Sequence, residues 1–133
     1  MALRMLIVED NFISRSVLSR ILEKYGSFDV ATNGEEAVQA VQLSYEAGVP
    51  YDLVFLDIMM PVMDGQRALE RIRDFEKNRG MNASEGCKIV MATALDDPQN
   101  VIAAFRNQCE GYITKPYNAN SIIGEMRKLG IVN

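Results

Sequence analysis

Apolar residues fall in short continuous runs that alternate with stretches of helical spacing. The first run, Met5-Leu6-Ile7-Val8, is closed by Glu9-Asp10 and predicts a strand buried on both faces. Phe12, Val17, Ile21 and Leu22 then predict a helix that ends near Gly26. FDVAT at 28–32 is strand-like, and Asn33 can cap a second helix whose apolar positions are Ala37, Val38, Val41 and Tyr45, stopped by Gly48-Val49-Pro50. YDLVFL at 51–56 predicts a third strand ending at Asp57. Asp64, ahead of Gly65, can cap a third helix with Ala68, Leu69, Ile72 and Phe75 turned inward. The polar stretch EKNRGMNASEG at 76–86 predicts an exposed loop. KIVMAT at 88–93 is a fourth strand, followed by a helix that starts near Asp97-Pro98 and runs through Val101, Ile102 and Phe105. GYIT at 111–114 and the segment from Ser121 to Leu129 complete the series as a fifth strand and fifth helix. Strict strand-helix alternation predicts an α/β fold, a doubly wound parallel sheet with right-handed crossovers and helices on both faces.

Composition narrows the function classes. A chain of 133 residues suits one domain that buries about two-thirds of its unfolded surface. With 14 basic and 18 acidic residues the net charge is -4, which offers no electrostatic footprint for direct DNA binding or for anionic lipid. No apolar run approaches membrane-spanning length, and MALRMLIVED turns acidic too soon for a signal peptide, so a cytoplasmic protein without membrane insertion is expected. Cys87 and Cys109 lack metal-like spacing and are expected as buried small apolar residues. The chain contains no histidine, which excludes any mechanism needing an imidazole in cis.

The strand ends carry the candidate chemistry. In an open parallel sheet, ligands bind beyond the carboxyl ends of the strands, where the strand order reverses. Strand one delivers Glu9 and Asp10 there, strand three Asp57, strand four Thr93, and strand five Lys115-Pro116. Three converging carboxylates repel one another unless a cation compensates, and oxygen ligands without His or thiolate favour Mg2+ or Mn2+. Asp57 and Asp10 would ligate directly and Glu9 through water, with Lys115 a fixed positive charge beside them. Asp57 then suits a nucleophile that accepts a phosphoryl group as an acyl phosphate, a transfer that needs alignment and charge neutralisation. Mg2+, Lys115, the Thr93 hydroxyl and backbone N–H groups can neutralise that charge. Without histidine in the chain, the phosphoryl donor must be another molecule.

IVEDN at 7–11, LVFLDIMMPVMDG at 53–65, VMATA at 90–94 and YITKP at 112–116 together resemble the receiver domain of bacterial two-component response regulators, in order and over essentially the whole chain. The resemblance implies a flavodoxin-like (βα)5 fold with strand order 2-1-3-4-5, and one receiver domain over 1–133 with no output domain. It implies Asp57 as the phosphoacceptor, Glu9 and Asp10 as the acidic pair for Mg2+, and the Met59 backbone carbonyl as a further metal ligand. Thr93 is similar to the switch hydroxyl, Tyr112 to the switch aromatic and Lys115 to the phosphate-binding lysine, with Pro116 following through a cis bond. Phosphorylation would draw Thr93 toward the new oxygens, admit Tyr112 to the vacated space and remodel the surface of helix four, strand five and helix five. The implied partners are a sensor histidine kinase or histidine phosphotransfer protein and a downstream protein target, with room for a phosphorylation-dependent homodimer. The domain would catalyse only its own phosphoryl transfer and dephosphorylation.

Other readings fit less well. A Mg2+-dependent phosphohydrolase of the haloacid dehalogenase pattern wants a second Asp where Met59 stands, and a flavodoxin-like cofactor binder wants a Gly-rich loop where EDNFIS stands. Phe12 and Phe105 are expected in helix packing. Departures from the receiver pattern are Glu9 where Asp is frequent, a longer 76–86 segment, and Asn107-Gln108-Cys109 where a small Ala-Gly-Ala segment is usual, Asn being able to take the left-handed conformation there.

Overall fold

In the computed structural model, which describes residues 2–82, 84–93 and 98–132, five strands and five helices alternate. They are β1 (Leu3–Val8), α1 (Phe12–Leu22), β2 (Gly26–Ala31), α2 (Gly34–Glu46), β3 (Leu53–Asp57), α3 (Gly65–Asn78), β4 (Lys88–Thr93), α4 (Pro98–Arg106), β5 (Gly111–Thr114) and α5 (Ala119–Lys128). All strands run parallel, in the order β2-β1-β3-β4-β5, as the resemblance implies.

The continuous apolar runs are explained by cover on both sides. Along β1, Met5 and Ile7 join the core beneath Leu18 and Leu22 of α1 and Ile122 and Met126 of α5, while Leu6 and Val8 join the opposite core with α2 and α3. The same two-residue alternation sends Leu53 and Phe55 of β3 to the first side and Val54 and Leu56 to the second. Helix starts are set by short polar side chains after strand ends. Asn11, Asn33, Asp64 and Asn118 accept the N–H groups of Ser14, Glu36, Arg67 and Ser121, each at 2.9 Å.

Several expectations need correcting. Phe12 does not pack: it is 71% exposed in the first turn of α1, because that helix meets the sheet through Leu18 and Leu22 farther along. Phe105 and Ile102 are also about half exposed, since α4 contributes Ala104 to the core and leaves its larger residues outside. The start of α4 at Asp97 lies outside the described residues. The left-handed residue after α4 is Gln108, with φ 72°, not Asn107. Strand three starts at Leu53, since Tyr51 leaves the ladder and donates its hydroxyl to Asp29 Oδ2 at 2.6 Å.

The largest correction concerns 76–86, whose first residues are the last turn of α3, not loop. Glu76 is buried there because Arg73, one turn earlier, is buried with it and pairs through Nη1 at 2.6 Å. Arg73 also donates to the Cys87 and Gln108 carbonyls at 3.0 and 2.9 Å and pairs with Glu110 at 2.7 Å. Glu76 in turn accepts the Tyr45 hydroxyl and the Cys87 N–H, and Glu110 accepts the Ile89 N–H at 2.7 Å. This guanidinium therefore ties α3 to the N-terminal ends of β4 and β5. Burial and then Glu76 push the Cys87 thiol up to about 12, in keeping with an inert core residue. Removing the guanidinium would leave two carboxylates facing each other in low dielectric, and Arg73→Ala should cost about 3–5 kcal/mol. Urea unfolding measures this directly; a loss below about 1 kcal/mol would mean that water re-solvates Glu76 and Glu110.

Candidate functional site

The sheet order places β1 and β3 side by side, with Val8 level with Leu56, so Glu9-Asp10 and Asp57 emerge together at the C-terminal edge. One carboxylate oxygen from each of Glu9, Asp10 and Asp57 lies within 4.8 Å of the others. Glu9 is 0% and Asp57 2% exposed, whereas Asp10 stands in solvent. Lys115 arrives from the end of β5 and places its ammonium between the two buried acids, 2.6 Å from Glu9 Oε1 and 3.0 Å from Asp57 Oδ2. The Lys115 N–H donates to the Thr93 carbonyl at 2.7 Å, and the Lys115-Pro116 bond is cis. Both acids thus spend part of their charge on one cation, and an all-oxygen cluster with one solvent-facing member matches what Mg2+ or Mn2+ accepts.

The segment after Asp57 is held to this residue and its strand at several points. The Ile58 N–H donates to Ala92, the Met59 N–H to Asp57 Oδ1 at 3.2 Å, and the Gly65 N–H back to the Ile58 carbonyl at 2.8 Å. A Cβ on Gly65 would overlap the Asp57 carbonyl oxygen, so the glycine after the Asp64 cap is what lets α3 start against the end of β3. Met59 is exposed beside this turn. Thr93 is buried at the end of β4. Tyr112 does not join the carboxylates: it is level with Met91, half-buried against the α2–α3–α4 core, with its ring edge-on to Phe105 at 6.1 Å between centroids.

Two contributors were not foreseen. Arg15 donates to the Glu9 and Asp10 carbonyls at 3.0 and 3.1 Å, bracing the backbone of the acidic pair. Tyr117 donates its hydroxyl to Glu9 Oε1 at 3.2 Å. A basic residue one turn into the helix and a polar-tipped aromatic two residues past the lysine were visible in the sequence, but neither lies in an apolar pattern that assigns it a direction.

Burial, and next the hydrogen bond with Glu9, raises the pKa of Asp57 to about 7, with Lys115 opposing. For Glu9, burial also disfavours charge, but its hydrogen bonds with Asp57 and Lys115 outweigh that and hold it below the usual carboxylate range. A carboxyl whose pKa is higher folded than unfolded contributes stability below its ordinary value of 3.8 that is lost as pH climbs toward about 7. In metal-free buffer, Asp57→Asn should therefore melt several degrees above the wild type at pH 8, and the gap should close by about pH 4, where Asp57 is protonated. Equal melting at pH 8 would show that ionised Asp57 is fully compensated by Lys115.

The model of the response regulator receiver domain family matches residues 5–127. The chain is 34% identical over 123 residues to the chemotaxis protein CheY of Halobacterium salinarum, covering 92% of each. It superposes, with TM-score 0.83 and 33% identity, on a chain of the co-crystal structure of the Saccharomyces cerevisiae histidine phosphotransfer protein Ypd1 and the receiver domain of Ssk1, covering 97% of this chain and 89% of that one. A chain of the CheX-CheY-BeF3-Mg2+ complex from Borrelia burgdorferi gives TM-score 0.83 at 28% identity, covering 98% of this chain and 90% of that one. Family model, relatives and fold agree: the chain belongs to the response regulator receiver domains, the signalling modules of two-component phosphorelays.

Proposed function

We propose that Asp57 accepts a phosphoryl group from a phosphohistidine on a sensor histidine kinase or histidine phosphotransfer protein, and that the domain then alters its α4–β5–α5 surface to control a partner protein. The observation that carries this reading is the ammonium of Lys115 bridging Glu9 and Asp57 beside an exposed third acid. In the transfer, an Asp57 carboxylate oxygen forms a bond to phosphorus as the donor's N–P bond breaks, and the electron pair returns to the imidazole. Asp57 is presented for this by its two held oxygens, Oδ1 on the Met59 N–H and Oδ2 on Lys115. Mg2+ (or Mn2+), when bound by Asp10, Asp57 and the Met59 carbonyl with Glu9 acting through water, supplies the charge that neutralises the phosphoryl oxygens.

Lys115 moves its ammonium from the carboxylates to the phosphoryl group, and the Thr93 hydroxyl donates to another of its oxygens. Tyr112, resting edge-on against Phe105, follows Thr93 and so changes α4 and β5. Hydrolysis of the acyl phosphate resets the domain, and these two reactions are its whole catalysis. The site is open to a protein donor: Phe12 and Ile13 follow the acidic pair, Met59 and Val62 follow the acceptor, and all four are largely exposed. A cytoplasmic setting with no direct DNA binding accords with the net charge of -4, and no helix among the described residues is long and apolar enough to cross a membrane.

Intact mass after incubation with acetyl phosphate tests the acceptor. One Mg2+-dependent phosphoryl adduct is expected in the wild type and none in Asp57→Asn; an undiminished adduct in the variant would place the acceptor elsewhere. Lys115→Ala should still take up the phosphoryl group but lose the change in amide exchange over α4 and β5 that follows in the wild type. A full exchange response in that variant would remove Lys115 from the switch.

A further inference from the structure

Glu9 has no surface in water, and its two oxygens are unequally held. Oε2 accepts the Asn11 N–H at a long 3.4 Å. Oε1 takes Lys115 Nζ at 2.6 Å and the Tyr117 hydroxyl at 3.2 Å. Lys115 is already shared with Asp57, and the proposed phosphoryl transfer draws it away from both. Tyr117 is under no such competition: among the described residues its hydroxyl is hydrogen-bonded to Glu9 alone. Its ring packs against the α1–α5 core, so the hydroxyl is offered from a fixed position, with the Lys115 ammonium 5.8 Å from the ring centroid. An uncharged donor also orients a carboxylate without cancelling the charge that a cation needs.

We propose that Tyr117 is a positioning residue of the site: its hydroxyl keeps Glu9 aimed at the cleft shared with Asp10 and Asp57, ready for a divalent cation, and keeps Oε1 satisfied when Lys115 turns to an incoming phosphoryl group. This rests on the phosphoacceptor reading of Asp57 for its second half and on the acidic cluster alone for its first. With phenylalanine at 117, packing is preserved but Glu9 Oε1 loses its uncharged donor and keeps the Lys115 ammonium, from which the carboxylate must break before it can serve a cation. Groups that orient metal ligands from behind commonly matter as much as this.

The test is calorimetric titration of Mg2+ into wild type and Tyr117→Phe, with acetyl phosphate labelling of both. Tyr117→Phe is expected to weaken Mg2+ binding by about three- to tenfold, the worth of one hydrogen bond. The Mg2+ concentration that half-saturates labelling should rise in parallel. In a Glu9→Asp background, where the carboxylate is one methylene shorter and out of the hydroxyl's reach, Tyr117→Phe should leave Mg2+ affinity unchanged. Unaltered Mg2+ affinity in Tyr117→Phe, with or without a lower melting temperature, would overturn the inference, as would an equal loss in both backgrounds. If the wild type takes no phosphoryl adduct but Tyr117→Phe weakens Mg2+ as expected, the positioning role stands and the phosphoacceptor reading alone falls.

Discussion

Mutual repulsion of the acids at the end of β1 and β3 is the constraint that the rest of the site answers. Two of them are out of water, and in that setting neighbouring negative charges cannot all be kept without compensation. Lys115 supplies one cation for two buried acids, and burial, with the Glu9 contact next, still raises the pKa of Asp57 against it. The remaining imbalance is what a divalent cation would relieve. Arg15, Asn11 and Tyr117 fix the acids' backbone and side chains so that the repulsion does not disperse them.

The fold contains a second buried charged cluster, again two carboxylates on one cation but closed in a different way. Around Arg73, two carboxylates and two carbonyls converge on one guanidinium, whose planar fork of donors gives each of them one hydrogen bond. One cluster is closed, joining α3 to the N-terminal ends of β4 and β5; the other is open to solvent through Asp10. Since Gln108, just ahead of β5, is anchored on Arg73 while Lys115 follows β5, the strand is tied at both ends. Between those two ties, Tyr112 of β5 meets Phe105 of α4 edge-on.

The sequence by itself determined the ten elements and their alternation, because runs of Val, Ile, Leu and Met covered on both faces read plainly against helical stripes capped by Asn and Asp. It also placed Glu9, Asp10, Asp57 and Lys115 together, because charged residues directly after apolar runs have nowhere to go but the sheet edge. Whether an apolar stripe is covered was decided only by the tertiary structure: Phe12 and Phe105 have the right spacing, but α1 and α4 meet the sheet through Leu18, Leu22 and Ala104 instead. The tertiary structure likewise decided Glu76, which reads as part of an exposed loop until Arg73, Tyr45 and Cys87 close around it, and Tyr117, whose hydroxyl finds its acceptor in Glu9, 108 residues away in the chain. Periodicity records which side of an element is apolar; the partners of a buried polar atom come from distant segments, and only folding brings them within bonding distance.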